Sequence, residues 1–421
     1  MRRPAIALDR LRPGICTVLL MLLGYSCASA SLNRIPVTNR LGSEPPIRIG
    51  LKINAAEVRI GANRGLLMTY HGPGRTERAH AGVTVRRVPE GLGVTGALVG
   101  TTTGKLVFAA AQRGEFVTVD GVSYRGTIEV ISADRGFNVI NIADIEEYLL
   151  SVVGSELWSR STGDLAALKA QAIASRTYAL RNSGRYRTDG YDIRADVSDQ
   201  AYGGVRSENG AATQAVAATR GQVVVFDGEL ILAFYHSTCG KRTASTEEAF
   251  RTIQPQPYLQ PVSDARPGRG YFNDLSPHFT WTVNWSGREL TRVLSETLPS
   301  VVGIDPEVVT DVRDISAHRT GPSGRIVELR ISVDSGEIPV FGPDIRLVLR
   351  SPTGEALRST DFNLAVEHRQ GLVSRVTATG WGLGHGVGLC QWGAVGRARS
   401  GQDYRTILAA YYRGASVERW Y

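Results

Sequence analysis

The stretch from Asp144 to Asn182, DIEEYLLSVVGSELWSRSTGDLAALKAQAIASRTYALRN, reads as two helices joined by a short polar turn. Ile145, Leu149 and Val152 recur at i, i+4 and i+7, which is one face of an α-helix. Four residues further along that face stands Glu156. Two readings of it are open. If the helix runs through Gly154, Glu156 joins the core-facing stripe, where burial favours the protonated form that a general acid needs. If the helix stops at Gly154, Glu156 is a solvated residue beyond its end. The second helix starts at Ser161, three residues before Asp164 in a capping-box-like arrangement. Leu165, Leu168, Ala172 and Ile173 form its apolar stripe. Lys169 and Arg176 share one face, and Gln171 and Tyr178 another. These long polar side chains either line a groove or are solvated and snorkelling.

At 421 residues the chain is long enough for two or more domains with full cores. Its 42% hydrophobic and 21% charged residues are ordinary for a globular protein. The net charge of +8 suits an anionic partner such as a wall polymer. The basic residues are mostly scattered arginines, with no zinc finger and no RNA-binding signature, so nucleic acid is disfavoured. Residues 1–30 read as a secretory signal: a basic start, a short apolar core from Ile15 to Leu23, and the small-residue pattern Ala28-Ser29-Ala30. The core falls short of the roughly 20 residues that span a bilayer. Cys27 offers a lipoprotein alternative.

Residues 31–141 form a β-rich region of short strand-like runs such as RIGLKIN, EVRIGA and FNVINI, with a tight turn at Asp120-Gly121. Residues 142–421 form the second domain. There, a helix is expected over Glu208–Ala218 and a hairpin turns at Asp227-Gly228, with strands Gln222–Phe226 and Leu230–Tyr235. A helix capped by Ser286 ends before Pro299. The C-terminal helix Tyr404–Tyr412 packs through Ile407, Leu408 and Tyr411. The fold class is α+β: a two-helix core embedded in mixed β structure, with the β-rich region ahead of it.

Beyond the signal, two cysteines remain, Cys239 and Cys390, in His236-Ser-Thr-Cys239 and His385-Gly-Val-Gly-Leu-Cys390. In an exported protein they suggest a Cys239–Cys390 disulfide. The spacings also allow His236, Cys239, His385 and Cys390 to hold zinc. Two unrelated buried thiols, or a Cys239 nucleophile with His385 as base, are the further alternatives. Gly380, Gly382, Gly384, Gly386 and Gly388 make a loop that can take φ > 0 and approach a ligand. No phosphate-loop context follows it.

EEYLLSVVGSEL with LKAQAIASRTYAL, then AFYHSTCGKRTASTEEAF and GWGLGHGVGLCQWGA, resemble successive signatures of the stage II sporulation protein D family, which includes amidase enhancers. The resemblance spans about residues 142–412. It implies an extracytoplasmic protein acting on peptidoglycan. The sporulation members are lytic transglycosylases of peptide-stripped glycan strands, and their catalytic glutamate matches Glu156. Amidase-enhancer members imply a wall-bound partner of a cell-wall amidase. The resemblance puts Tyr202, His385 and Gln391 near the active-site groove, Tyr202 either stacking on a sugar ring or packing as an ordinary aromatic and His385 either at the groove or structural; with Lys169, Gln171, Arg176 and Tyr178 from the second helix they are the candidate substrate contacts. The chain departs from the motif at Leu157-Trp158, where many members have Met-Pro. One acid suffices for this chemistry, because the C6 hydroxyl of muramic acid is the nucleophile; ordinary glycosidases need two carboxylates.

Overall fold

A computed structural model describes residues 42–71, 74–157 and 162–421. The expected signal and the Ser161 cap lie outside the described residues. The fold is α+β, with several separate sheets and helices between them.

The long strand Gly136–Asp144 organises the N-terminal half. It pairs antiparallel with Pro46–Ala55 on one side and with Thr127–Ala133 on the other. Phe137, Val139, Ile140 and Asn141 are fully buried, and Asn138 nearly so, as a continuous run in the middle of a sheet requires. These strands belong to a seven-stranded sheet, and a six-stranded sheet stands beside it in sequence. The Asp120-Gly121 and Asp227-Gly228 pairs both have positive φ at both positions (46° and 83°, 49° and 74°), the geometry of a type I′ hairpin turn.

Gly136–Asp144 runs straight into helix α1 (Ile145–Glu156). Its first amides are satisfied from the preceding chain: Ile145 donates to the Pro45 carbonyl at 3.1 Å, and Glu146 to Glu44 Oε1 at 2.9 Å. Gly154 does not end the helix. A methyl group at position 154 would lie 1.9 Å from the Ser207 carbonyl oxygen, so glycine is there for close packing. Helix α2 (Leu165–Arg181) buries every side chain from Ala167 to Leu180 except Lys169. Its N-cap is Asp164, whose carboxylate is held by Arg399 at 2.7 and 2.9 Å. Helix α3 (Gly210–Ala218) starts at Asn209, whose side chain accepts from Ala212. Gln222–Phe226 forms as expected and pairs with Ser416–Arg419. The expected partner strand Leu230–Tyr235 is mostly out of the ladder: only Glu229–Leu230 pairs with it, and Tyr235–His236 pairs elsewhere.

The chain divides into two units, though not at the boundary expected near residue 142. One holds the described residues up to Phe234 together with Arg397–Ala410 and Gly414–Tyr421. The β-rich region and the helix pair fall in it together because Gly136–Asp144 is both a sheet strand and the lead into α1.

The other unit is Tyr235–Gly396 with Tyr411–Arg413. It has a sheet of Thr280–Ser286, Leu372–Trp381 and Phe362–Arg369, and a second of Val312–Thr320, Ile326–Val333 and Gly336–Phe341. A helix, Gly287–Val302, starts at a capping box between Ser286 and Glu289. It continues through Pro299, where an end was expected, and stops at Gly303 in the left-handed region. Leu290, Val293, Leu294, Thr297 and Leu298 face a core built on Trp285 and Ile331. Each such leucine contributes about 1.5–3 kcal/mol by burial.

Candidate active site and a buried thiol–imidazole cluster

Glu156 is the last residue of α1, half-buried, and so falls between the two sequence readings. The helix does persist past Gly154, but its final turn leaves the carboxylate partly accessible. The Ala201 amide donates to Glu156 Oε1 at 2.7 Å. A backbone N–H on that oxygen fixes the carboxyl's orientation without supplying a competing charge.

The segment bearing Ala201 is held on both sides. The buried Asp199 carboxylate accepts from the Tyr178 hydroxyl (2.9 Å), from Arg185 (2.9 Å) and from the Arg194 amide (2.8 Å). Gln200, with no exposed surface, accepts from the Tyr148 hydroxyl at 2.9 Å and reaches the Ser175 carbonyl at 3.4 Å. Tyr202 donates to Asn141 Oδ1 at 2.7 Å, and its ring packs on Tyr148 and Tyr124 at 5.0 and 5.7 Å. Burial raises the Tyr148 and Tyr202 hydroxyls well above the ordinary tyrosine range, so they stay protonated donors. Tyr202 is thus only 6% exposed, a core aromatic with no face open to stack on a sugar.

Arg176 also differs from expectation. It is fully buried, and its guanidinium forks onto Glu146 at 2.8 and 2.7 Å while Nη1 donates to the Gln222 carbonyl at 3.0 Å. Glu146 further accepts from the Gly221 amide (3.2 Å) and the Tyr421 hydroxyl (2.5 Å). Burial pushes the Glu146 carboxyl up, but these donors, Arg176 foremost, hold it below the usual range. Arg176 therefore pins α2 to α1 and, with no exposed surface, is not presented to a ligand. Gln171 is fully buried, donating to Ser175 at 3.0 Å within α2. Lys169 is half-buried, with its ammonium 5.8 Å from the Tyr404 ring centre. Tyr178 is 7% exposed and faces Asp199.

His385 and Gln391 belong to the other unit. The glycine loop there does take positive φ at Gly382, Gly384, Gly386 and Gly388, yet its close approaches are to the protein itself. A methyl on Gly380 would meet Trp281 at 2.2 Å, and one on Gly386 would meet Arg325 at 2.6 Å. Gln391 is buried at the start of the helix Gln391–Arg399. His385 Nε2 donates to the Tyr235 carbonyl at 2.9 Å, and its Nδ1 accepts from the Val387 amide at 3.0 Å. Loss of hydration drives its pKa down to about 4, so the ring is neutral.

The short parallel pair Tyr235–His236 with Leu389–Cys390 gathers His236, Cys239 and Cys390. Their donor atoms all lie within 4.8 Å of one another, and all three residues are buried. His236 Nδ1 donates to the Val387 carbonyl at 3.1 Å, which turns the Nε2 lone pair toward the thiols; Nε2 has no hydrogen-bond partner among the described residues. The sulfurs accept N–H donors: Asn273 on Cys239 at 3.2 Å, Cys239 and Gly393 amides on Cys390 at 3.2 and 3.3 Å. Both cysteines are free thiols side by side. This donor set fits a zinc ion with one position left open. His385, the fourth candidate, has both ring nitrogens engaged and is not delivered. Burial, reinforced by Cys390, pushes the Cys239 thiol well up, which removes the nucleophile reading.

Sequence reasoning singled out Glu156 and the thiol–imidazole residues. It missed Glu146, Tyr148, Asn141 and Gln200. Asn141 and Gln200, polar within apolar or loop stretches, were the available signal.

Residues 133–226 match the family model described as Stage II sporulation protein, SpoIID, and residues 265–388 match a domain of unknown function, DUF8618. Glu156, its holding segment and the Arg176–Glu146 pair all fall in the first match. An uncharacterized protein of Brachyspira hyodysenteriae is 31% identical over 79% of this chain and 82% of its own length. The amidase enhancer of Bacillus subtilis is 27% identical over 72% of the chain, which spans 45% of that protein's length. The stage II sporulation protein D of Bacillus subtilis is 27% identical over 65% of the chain and 74% of its own length. The chain belongs to the stage II sporulation protein D family.

Proposed function

We propose that this protein acts outside the cytoplasm on peptidoglycan, as a lytic transglycosylase that cleaves between N-acetylmuramic acid and N-acetylglucosamine in peptide-stripped glycan strands. The observation that carries the reading is Glu156, half-buried at the end of α1 with Oε1 held by the Ala201 amide, inside the span that matches the SpoIID model. The Ala201 amide holds Oε1, and the acid form of Glu156 carries the proton for the reaction. Glu156 gives that proton to the glycosidic oxygen as the C1–O bond breaks. The resulting carboxylate then takes the proton of the muramic C6 hydroxyl as that oxygen closes on C1, giving the 1,6-anhydro ring and restoring the acid. No second carboxylate and no water enter the bond-breaking step.

Zinc at His236, Cys239 and Cys390 is part of this reading as a clamp on the glycine loop, with no chemical step routed through it; a Cys239–Cys390 disulfide would clamp the same strands. No helix among the described residues is long and apolar enough to cross a membrane. Export in this reading rests on the N-terminal signal expected from the sequence.

The test is digestion of purified peptide-stripped glycan followed by mass spectrometry. Wild type is expected to release anhydromuramyl products and Glu156→Gln none; undiminished release by Glu156→Gln would defeat the reading. The similarity to an amidase enhancer over 72% of the chain favours a second reading, a wall-binding protein that stimulates an amidase without cutting glycan. Sacculus binding without released fragments, together with faster hydrolysis by an added amidase, selects that one.

A further inference from the structure

We propose that Gln200 is the positioning residue of the acid. It fixes the backbone amide of Ala201, and that amide orients the carboxyl of Glu156. The inference rests on the transglycosylase reading of Glu156.

The segment 199–202 alternates between anchoring and presenting. Asp199 is locked by a side chain of α2, by Arg185 and by the Arg194 amide. Gln200 bridges the two helices, accepting from Tyr148 on α1 and reaching toward Ser175 on α2. Tyr202 is tied to Asn141, which in turn donates to the Arg125 and Thr127 carbonyls at 2.8 and 3.0 Å. Between these anchors Ala201 has only a methyl group, and its amide is what the segment offers to Glu156. Three buried polar side chains spent on a four-residue irregular segment is a large commitment. A merely structural loop could be held by apolar packing, without burying a carboxylate and an amide.

Gln200 is the member adjoining Ala201 that reaches both helices. The helix bearing the acid and the loop bearing its hydrogen-bond donor therefore share one joint, Tyr148–Gln200. If the joint slackens, the amide leaves Oε1 and the carboxyl loses its set orientation. Binding of a glycan strand does not depend on that orientation, whereas proton transfer does. A displacement of about 1 Å in such a group costs about a hundredfold in rate.

Four proteins decide it, with turnover and KM measured on peptide-stripped glycan and thermal midpoints recorded alongside. Tyr148→Phe removes one hydroxyl from the joint, and Ala201→Pro deletes the donor itself. Thr219→Val removes a buried hydroxyl that bonds only within α3, a control for ordinary loss of stability. Glu156→Gln reports the underlying reading. We expect Tyr148→Phe and Ala201→Pro to lose about a hundredfold in kcat with KM nearly unchanged, and Thr219→Val to keep wild-type kcat. If Tyr148→Phe folds and keeps wild-type kcat while Glu156→Gln is inactive, the positioning role is overturned and the catalytic reading stands. If KM rises and kcat holds, the joint shapes binding and the inference also fails. If wild type itself releases no anhydromuramyl product, both fall.

Discussion

Replacing Arg176 with methionine keeps the length of the side chain and removes its charge. The guanidinium has no exposure and makes three hydrogen bonds, two of them to Glu146, which is itself 6% exposed. Arg176→Met therefore strands a buried carboxylate with only the Gly221 amide and the Tyr421 hydroxyl for company. Breaking one side of a buried ion pair costs about 3–5 kcal/mol, a large part of a domain's stability. The sign of the pH dependence distinguishes this cause from lost packing. In wild type the Glu146 pKa is lowered on folding, so the pair's contribution is complete above the ordinary glutamate value of 4.5 and fades as pH falls below it. In Arg176→Met desolvation dominates and the folded-state pKa lies above the unfolded one. The penalty is then full at pH 7 and shrinks as pH falls toward 4, because the carboxyl protonates. Urea denaturation of both proteins at pH 7 and pH 4.5 measures the difference. The double variant Glu146→Leu with Arg176→Met should cost less than Arg176→Met alone. A loss under about 1 kcal/mol at pH 7, or one that is the same at both pH values, would refute the argument that Arg176 is a pin.

Gly154→Ala places a methyl 1.9 Å from the Ser207 carbonyl and should destabilise by about 1–3 kcal/mol, read as a lower denaturation midpoint. Tyr202→Phe leaves Asn141 Oδ1 short of a donor and should cost about 1–3 kcal/mol, whereas Tyr202→Leu, which removes the ring, should leave sacculus pull-down at wild-type level; weakened binding by a folded Tyr202→Leu would restore the sugar-stacking reading. Cys239 and Cys390 in the reduced, metal-free protein should resist a thiol reagent in the native state and react in denaturant, since both are fully buried; fast native labelling would contradict that burial.

What the sequence made legible followed from local rules. The periodicity of Ile145, Leu149 and Val152, the cap at Ser286 and the two Asp-Gly turns each need only a few neighbouring residues to be read, and each is present in the fold. Gly154 was ambiguous because a helix glycine can mark an end or a tight contact, and only Ser207, far along the chain, decides between them. Arg176 was misread for the same reason. Its spacing from Lys169 puts both on one helix face, but nothing near it announces that Glu146, 30 residues earlier, is its partner. Ala201 is the extreme case: its contribution is a main-chain amide, for which no side chain can give a signal. The division at Phe234 and Tyr235 was hidden because C-terminal segments complete both units.

The ion pair of Glu146 and Arg176 is closed by the Tyr421 hydroxyl, 275 positions along the chain from Glu146. The strand Ser416–Arg419 that carries the chain there is also a partner of Gln222–Phe226. A nascent polypeptide emerging at constant speed would expose α1 and α2 long before the ribosome had produced the piece that shields their shared charge. Such an order of events delays closure until synthesis has passed that point, and it leaves the chain open for longer to chaperones and to passage in an extended form.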